Sequence, residues 1–358
     1  MKIMLAVFAA AILIQDAEAA RRHAASCAPA DVQAAVDAAV AGDTVILPAC
    51  REAWYTTLAI FKPVTLRGQG VNETILERTT DAPLVMIKAV NVTGFKLRDL
   101  TLIGTHDIAP NVHQDYGLML INAVDFRIYD AAFEHLAVGI QAHGDPLKIR
   151  GVIYDNEFTD IYYREPTGGA LGYGVWVQGN GTWPTLELGT AQNVFIEDNI
   201  FTRNRHTIAS NNGSRYVFRY NRIVDNREDA AAIDAHGRGP WWPRGSRQWE
   251  VYRNTITNAV PRYAGLGMRG GDGVAFSNRF SSNVTFEILL TNEGGCAGVY
   301  PLSDQIRDVS IWSNTLTNGS PAPIFIQAGC QDHIKLGRDY FTTKRPGYMP
   351  YPYPHPAR

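Results

Sequence analysis

The chain has 358 residues, with 33 lysines and arginines against 35 aspartates and glutamates. A net charge of −2 gives no overall field that would draw a nucleic acid, and the longest apolar run falls short of the roughly 20 residues that a membrane span needs. Both kinds of partner are set aside, and a monomer that is free of the membrane is expected.

Residues 1–20 carry one basic residue, Lys2, an apolar run over 3–14 and the small-residue end Ala17-Glu18-Ala19-Ala20. That is the layout of a cleavable secretory signal, retention as an N-terminal anchor being the alternative. The mature protein is then expected to be secreted or periplasmic, where cysteines oxidise. Residues 29–41 follow with an amphipathic spacing (Val32, Ala35, Val36, Ala39, Val40) that predicts a helix, and lead into the strand-like Thr44-Val45-Ile46-Leu47.

From there one phrase returns: a slot usually filled by asparagine, any residue, then a large apolar one. It starts at Leu100, Ala131, Asn156, Asn199, Asn221, Asn254, Asn278 and Asn314, at intervals of 31, 25, 43, 22, 33, 24 and 36 residues. A floor near 22 with a variable excess predicts a coil whose rung is fixed while loops of different length bulge from it. Six of the eight slots hold asparagine, and identical amides stacked at the strand spacing of about 4.8 Å can hydrogen-bond as a ladder. The segments before the slots, such as Val194-Phe195-Ile196-Glu197, alternate as strands with one buried face do.

The prediction is an all-β parallel solenoid of about eight to ten rungs. It forms one domain over 21–344, followed by a Pro- and Tyr-rich tail over 345–358 that wraps the far end or stays disordered. Only neighbouring coils touch in such a fold, so Cys27 is expected to pair with Cys50 and Cys296 with Cys330. No C-x-x-C spacing supports a zinc site in their place.

Over residues 43–338 these features resemble the pectate-lyase-like right-handed parallel β-helix superfamily, and the helix and first strand before them are similar to its N-terminal cap. The resemblance implies a carbohydrate-active enzyme with a groove over one strand face, flanked by long loops; surplus length falls at 162–192, 226–248 and 293–307. The run over 193–254 is similar in layout to the region where pectate lyases place a basic residue and an arginine-proline-arginine segment, with Arg238-Gly239-Pro240 and Pro243-Arg244 standing there. The calcium that those enzymes use has no matching aspartate cluster, so the metal is left unassigned. The paired-aspartate and glycine-histidine-glycine motifs of polygalacturonase-type hydrolases are missing, and Asp234-Ala235-His236 is similar to the aspartate-proline-histidine motif of mannuronan epimerases, with alanine for proline.

Aligning five segments on Val177, Ile208, Ile233, Met268 and Leu290 points Gln178, Asn180, Asn211, Asp234, His236, Arg269, Thr291 and Glu293 outward as one polar strip. The densest chemistry is the run 234–247, where Asp234, His236, Arg238, Trp241, Trp242, Arg244 and Arg247 fall within 14 residues, next in the coil to Arg205-His206 and Arg215. Histidine shuttles protons near neutral pH, arginine pairs with a uronate carboxylate, and tryptophan stacks on sugar rings. Each residue also has a bland reading. His206 can simply bond to backbone at a turn, Asp234 can salt-bridge a loop arginine, Arg215 can be a solvated strand residue, and one or both tryptophans can pack on the coil.

The leading expectation is a polysaccharide lyase that cleaves a uronic-acid-containing glycan by β-elimination. Arg215, Arg269 and Asn211 would neutralise the carboxylate, His206 or His236 would be the base, and the other histidine or Arg238 would stand near the leaving group. Gln178, Asn180, Arg244, Arg247, Glu293 and a tryptophan, Trp241 or Trp242, would hold the chain. C5-epimerisation shares the first step. A hydrolase would need two carboxyls roughly 5 to 9.5 Å apart, from Asp234, Asp272 and Glu293, and a non-catalytic glycan-binding platform is the reading from another class.

Overall fold

The structure, a computed structural model, describes residues 19–79, 85–105, 114–164, 170–227, 230–240 and 242–358. Residues 1–18 of the signal expected over 1–20, and Trp241, lie outside the described residues. Each full coil contributes three short strands, as in His206–Asn211, Arg215–Arg219 and Arg222–Val224, followed one turn later by Ala231–Ala235, Gln248–Tyr252 and Thr255–Thr257. The first strand of each coil joins a ten-stranded parallel sheet, here the front sheet, and the other two join a twenty-stranded parallel sheet that bends at a corner. The chain is therefore a right-handed parallel β-helix, with the rung number expected from the repeat.

The corner explains the asparagine slot. Asp155, Asp198, Tyr220, Arg253, Ser277 and Ser313, each just before a slot, have φ between 52° and 58°. A left-handed residue turns the strand sharply and strands the flanking backbone groups away from the sheet ladder. The asparagine side chain satisfies them. At Asn221, Nδ2 donates to the carbonyls of Ile196 and Arg219 at 2.9 and 3.0 Å and to Asn254 Oδ1 at 3.1 Å, while its own Oδ1 accepts from the Asn199 backbone at 3.0 Å. The same pattern links Asn156 through Asn199, Asn221, Asn254 and Asn278 to Asn314, so all six stack as expected. Asn221→Ala leaves several buried backbone groups unpaired at about 1–3 kcal/mol each. It is expected to lower the denaturant midpoint by an amount equivalent to about 3 kcal/mol or more, whereas Arg222→Ala on the exposed neighbour should move it little.

The helix Pro29–Ala38 packs on the first strands and buries Val32 and Val36 in the main core. Disulfides join Cys27 to Cys50 and Cys296 to Cys330, the expected pairing. No helix among the described residues is long and apolar enough to cross a membrane.

The tail departs from expectation. It neither wraps the far end nor lies loose, but runs along the outside of the twenty-stranded sheet. Arg219 donates to the carbonyls of Tyr351 and Pro352 at 2.7 and 2.8 Å, Tyr348 donates to Glu250 at 2.6 Å, and Arg358 pairs with Asp155. The physical reason is the apolar outer face of that sheet, where Val152, Phe195, Val217 and Val274 are fully buried in a second cluster that Tyr348 and Tyr351 complete.

Candidate active site

On the front sheet, Ile208 pairs with Ile233, Ile233 with Leu266, and Leu266 with Ile288, which puts one apolar column in the core. Asp234 then faces Gly267, and the outward neighbour column runs Gln178, Asn211, His236, Arg269, Thr291. The sequence alignment is correct at Ile208 with Ile233 and at Met268 with Leu290, and is off by two residues at its other joints, since Val177 meets Ser210 and Ala235 meets Met268. A slip of two preserves the face of every side chain, so the outward set survives. Asn180 does not join it: it lies past the strand end and accepts a hydrogen bond from the Thr182 backbone at 3.0 Å.

Alternation alone would turn His206 inward with Ile208. The front strands break their pairing at one column of small residues, Gly139, Gly174, Thr207, Ala232 and Gly265, and the glycines of this column face core phenylalanines such as Phe158, Phe201 and Phe280. Two successive inward residues reverse the parity before them. Tyr173 and His206 therefore emerge on the outer face, stacked at 5.6 Å, next to Asp234.

Asp234 is the hub. Its carboxylate accepts from Arg269 through both oxygens, lies 3.0 Å from His236 Nε2 and lies 3.6 Å from His206 Nε2. Burial pushes its pKa up, but the Arg269 guanidinium and then the two histidines outweigh burial and hold it well below the usual carboxylate range. Arg269 Nη1 donates to Glu293 Oε1 at 2.8 Å, and Nη2 lies 2.8 and 2.9 Å from the two ring nitrogens of His236. Equal distances to both nitrogens match neither in-plane lone pair, so the guanidinium braces the ring by contact. His236 Nδ1 lies 3.6 Å from Glu293 Oε2, a buried oxygen without a hydrogen-bond partner. The small side of Gly267 leaves a cavity of about 300 Å³ beside Asp234, lined also by His206, Tyr263, Arg269, Thr291 and Glu293.

His206 Nδ1 donates to the Ala231 carbonyl at 2.6 Å, which leaves Nε2 toward Asp234. The bland reading thus describes its backbone bond, though not its neighbour. Burial pushes its pKa down to about 3, with Asp234 opposing. Unfolded, a histidine titrates near 6.5, so the unfolded chain binds the proton first as pH falls. The His206 share of stability is full above about pH 6.5 and is lost progressively toward about pH 3. Unfolding midpoints are expected to fall on going from pH 7 to pH 5, and His206→Gln, which keeps a donor for Ala231, should shrink that fall.

The other basic candidates are placed elsewhere. Arg215 belongs to the twenty-stranded sheet, is buried, and donates to Glu187 at 2.7 Å and to the Pro146 carbonyl at 2.9 Å. Arg244 forms a two-bond pair with Asp304 at 2.9 and 2.7 Å, and Arg247 bonds the Pro184 carbonyl at 2.7 Å and Asp272 at 2.9 Å. These arginines tie the long loops to each other. Arg238 is exposed and reaches Ser303 at 3.1 Å. Trp242 packs back on the coil edge to face with Trp176, their ring centres 5.9 Å apart, and Asn211 and Gln178 are buried. Tyr263 in the cavity wall escaped sequence reasoning because a single tyrosine at a strand start carries no pattern.

No protein-family profile and no curated protein matches the chain. Solved structures do. An ORF18 protein of Geobacillus virus E2 is 13% identical with a TM-score of 0.48 over 84% of this chain, which spans only 55% of that protein. An alginate lyase from a Paenibacillus species is 13% identical with a TM-score of 0.44, covering 85% of this chain and 99% of its own. The A-module of a mannuronan C-5 epimerase from Azotobacter vinelandii is 18% identical with a TM-score of 0.36, over 84% and 93%. The likeness is one of fold.

A divalent cation, which lyases of this fold can use, does not fit the carboxylates present. Arg269 already bridges Asp234 and Glu293, and no group of three or more His, Cys, Asp and Glu side chains among the described residues is arranged to hold a metal.

Proposed function

We propose that this protein is an exported polysaccharide lyase that cleaves a uronic-acid-containing glycan by β-elimination, with His236 as the base. The observation that carries this reading is the setting of His236 between two carboxylates, Asp234 on Nε2 and Glu293 on Nδ1. Asp234 fixes the tautomer with hydrogen on Nε2, which leaves the Nδ1 lone pair to accept the C5 proton. The imidazolium then formed gains Glu293 Oε2, the oxygen that lacks a partner at rest. Arg269 and Arg205 in the cavity wall present positive charge to the uronate carboxylate as its α-carbon becomes carbanionic.

The Tyr263 hydroxyl, half exposed in the same wall, protonates the leaving oxygen as the C4–O bond breaks and the C4–C5 double bond forms. His206, kept uncharged by burial and bonded through Nδ1 to the Ala231 carbonyl, is a poor base itself. Asp234, locked in its ionised form, suits an orienting role and not that of the protonated acid a hydrolase requires. The signal over 1–20 and the two disulfides support export.

The test is to incubate the mature protein with polyuronates and neutral polysaccharides while following ultraviolet absorbance and reducing ends together. Both should rise in step on a polyuronate. New reducing ends without absorbance would replace the lyase with a hydrolase, and inverted C5 configuration without either would make it an epimerase.

A further inference from the structure

We infer that the cavity is closed at one end, so that the enzyme takes a chain terminus and releases short products from it. This rests on the reading that the cavity binds a glycan. A sugar chain following the front sheet crosses successive rungs spaced about 4.8 Å apart, and the two directions away from Asp234 differ.

Toward the N-terminus the path is filled. The outward positions that follow Asp234 are Ala209 and then Trp176, which are 0% and 9% exposed. Leu171, from one side of the sheet, and Trp242, from the loop on the other, both pack on this cluster, with the Trp242 and Trp176 ring centres 5.9 Å apart. On the next rung Gln141, paired with Trp176, is buried and donates to Gln178 at 2.8 Å, and Asn211 is 1% exposed. The polar strip that looks continuous in sequence is thus covered on these rungs.

Toward the C-terminus the path is open. The same column continues through Gly267 to Leu289, whose side chain lies in the cavity wall, the lining goes on to the exposed Gln327, and Gly294 and Gly295 have no atom within 4 Å of where a side chain would begin. A cavity of about 300 Å³ is at the small end of ligand sites, which run from roughly 300 to 1,000 Å³. A pocket walled on its N-terminal side by Trp176, Leu171 and Trp242 admits an end and excludes a chain passing through.

The experiment has a turnover arm and a binding arm. Early in the reaction, size-exclusion chromatography should show one short product beside polymer of unchanged length; an immediate ladder of intermediate sizes with collapsing viscosity would overturn the inference. Trp242→Ala and, as a milder trim from the other side, Leu171→Ala should each move the products toward such a ladder.

For binding, hexamers of galacturonate, of mannuronate and of the neutral sugars galactose and mannose are titrated calorimetrically into the His236→Ala variant, each free or carrying a bulky dye on its reducing or its non-reducing end. One blocked form should lose affinity by about tenfold or more while the other binds as the free hexamer does. Equal binding of all three overturns the closed end. If only neutral hexamers bind, and do so with the same discrimination between ends, the uronate reading falls and the closed end stands. No binding by any sugar overturns both.

Discussion

His236→Ala is expected to lower turnover on a polyuronate by about 10²- to 10⁴-fold, the range for a lost general base, with a small change in melting temperature. The ring is partly exposed, and the groups around it keep other partners: Asp234 retains Arg269, and Glu293 retains the same guanidinium through Oε1. Its removal therefore leaves no buried charge alone. Steady-state rates from product absorbance, read beside thermal melts, check this. A variant with full activity would move the base away from His236 and return attention to His206. A variant that loses activity only by unfolding would make the ring a structural element.

Arg269→Met should have the largest effect on stability. Asp234 is 1% exposed, and Arg269, which bonds both of its oxygens, is the cationic partner that it has, His236 beside it being neutral at rest. Removing one partner of a buried pair leaves an uncompensated charge, which costs about 3–5 kcal/mol. The loss should be largely reversed in the double variant Asp234→Asn with Arg269→Met, because a neutral amide needs no counter-charge. Denaturant unfolding of the two single variants and the double variant at pH 7 measures the coupling. Additive losses in that cycle would mean that the pair does not interact as the geometry requires. The double variant should remain inactive even where stability returns, since an amide cannot stabilise the imidazolium that His236 becomes.

The sequence by itself determined the coil. The asparagine slot repeats because each left-handed corner strands the same backbone groups, and Asn156, Asn199, Asn221, Asn254, Asn278 and Asn314 answer a local need that is visible one rung at a time. The disulfide pairing was legible for a related reason: in a solenoid, nearness in space follows nearness in the repeat. The outward set around Asp234, His236 and Arg269 was legible because alternation has a period of two and survives a two-residue slip.

Tertiary structure decided the rest. The offset between neighbouring rungs depends on loops of unequal length, so only the folded sheet puts Asp234 opposite Gly267 and thereby opens the cavity. The break at Thr207 and Ala232 turned His206 outward against its own alternation pattern. Arg215, Arg244 and Arg247 look in sequence like a cationic subsite, but a guanidinium takes whichever carboxylate or carbonyl the loops bring within reach, here Glu187, Asp304 and the Pro184 carbonyl. The tail lies on the twenty-stranded sheet for a like reason: the apolar outer face that it covers exists only once the coils have stacked.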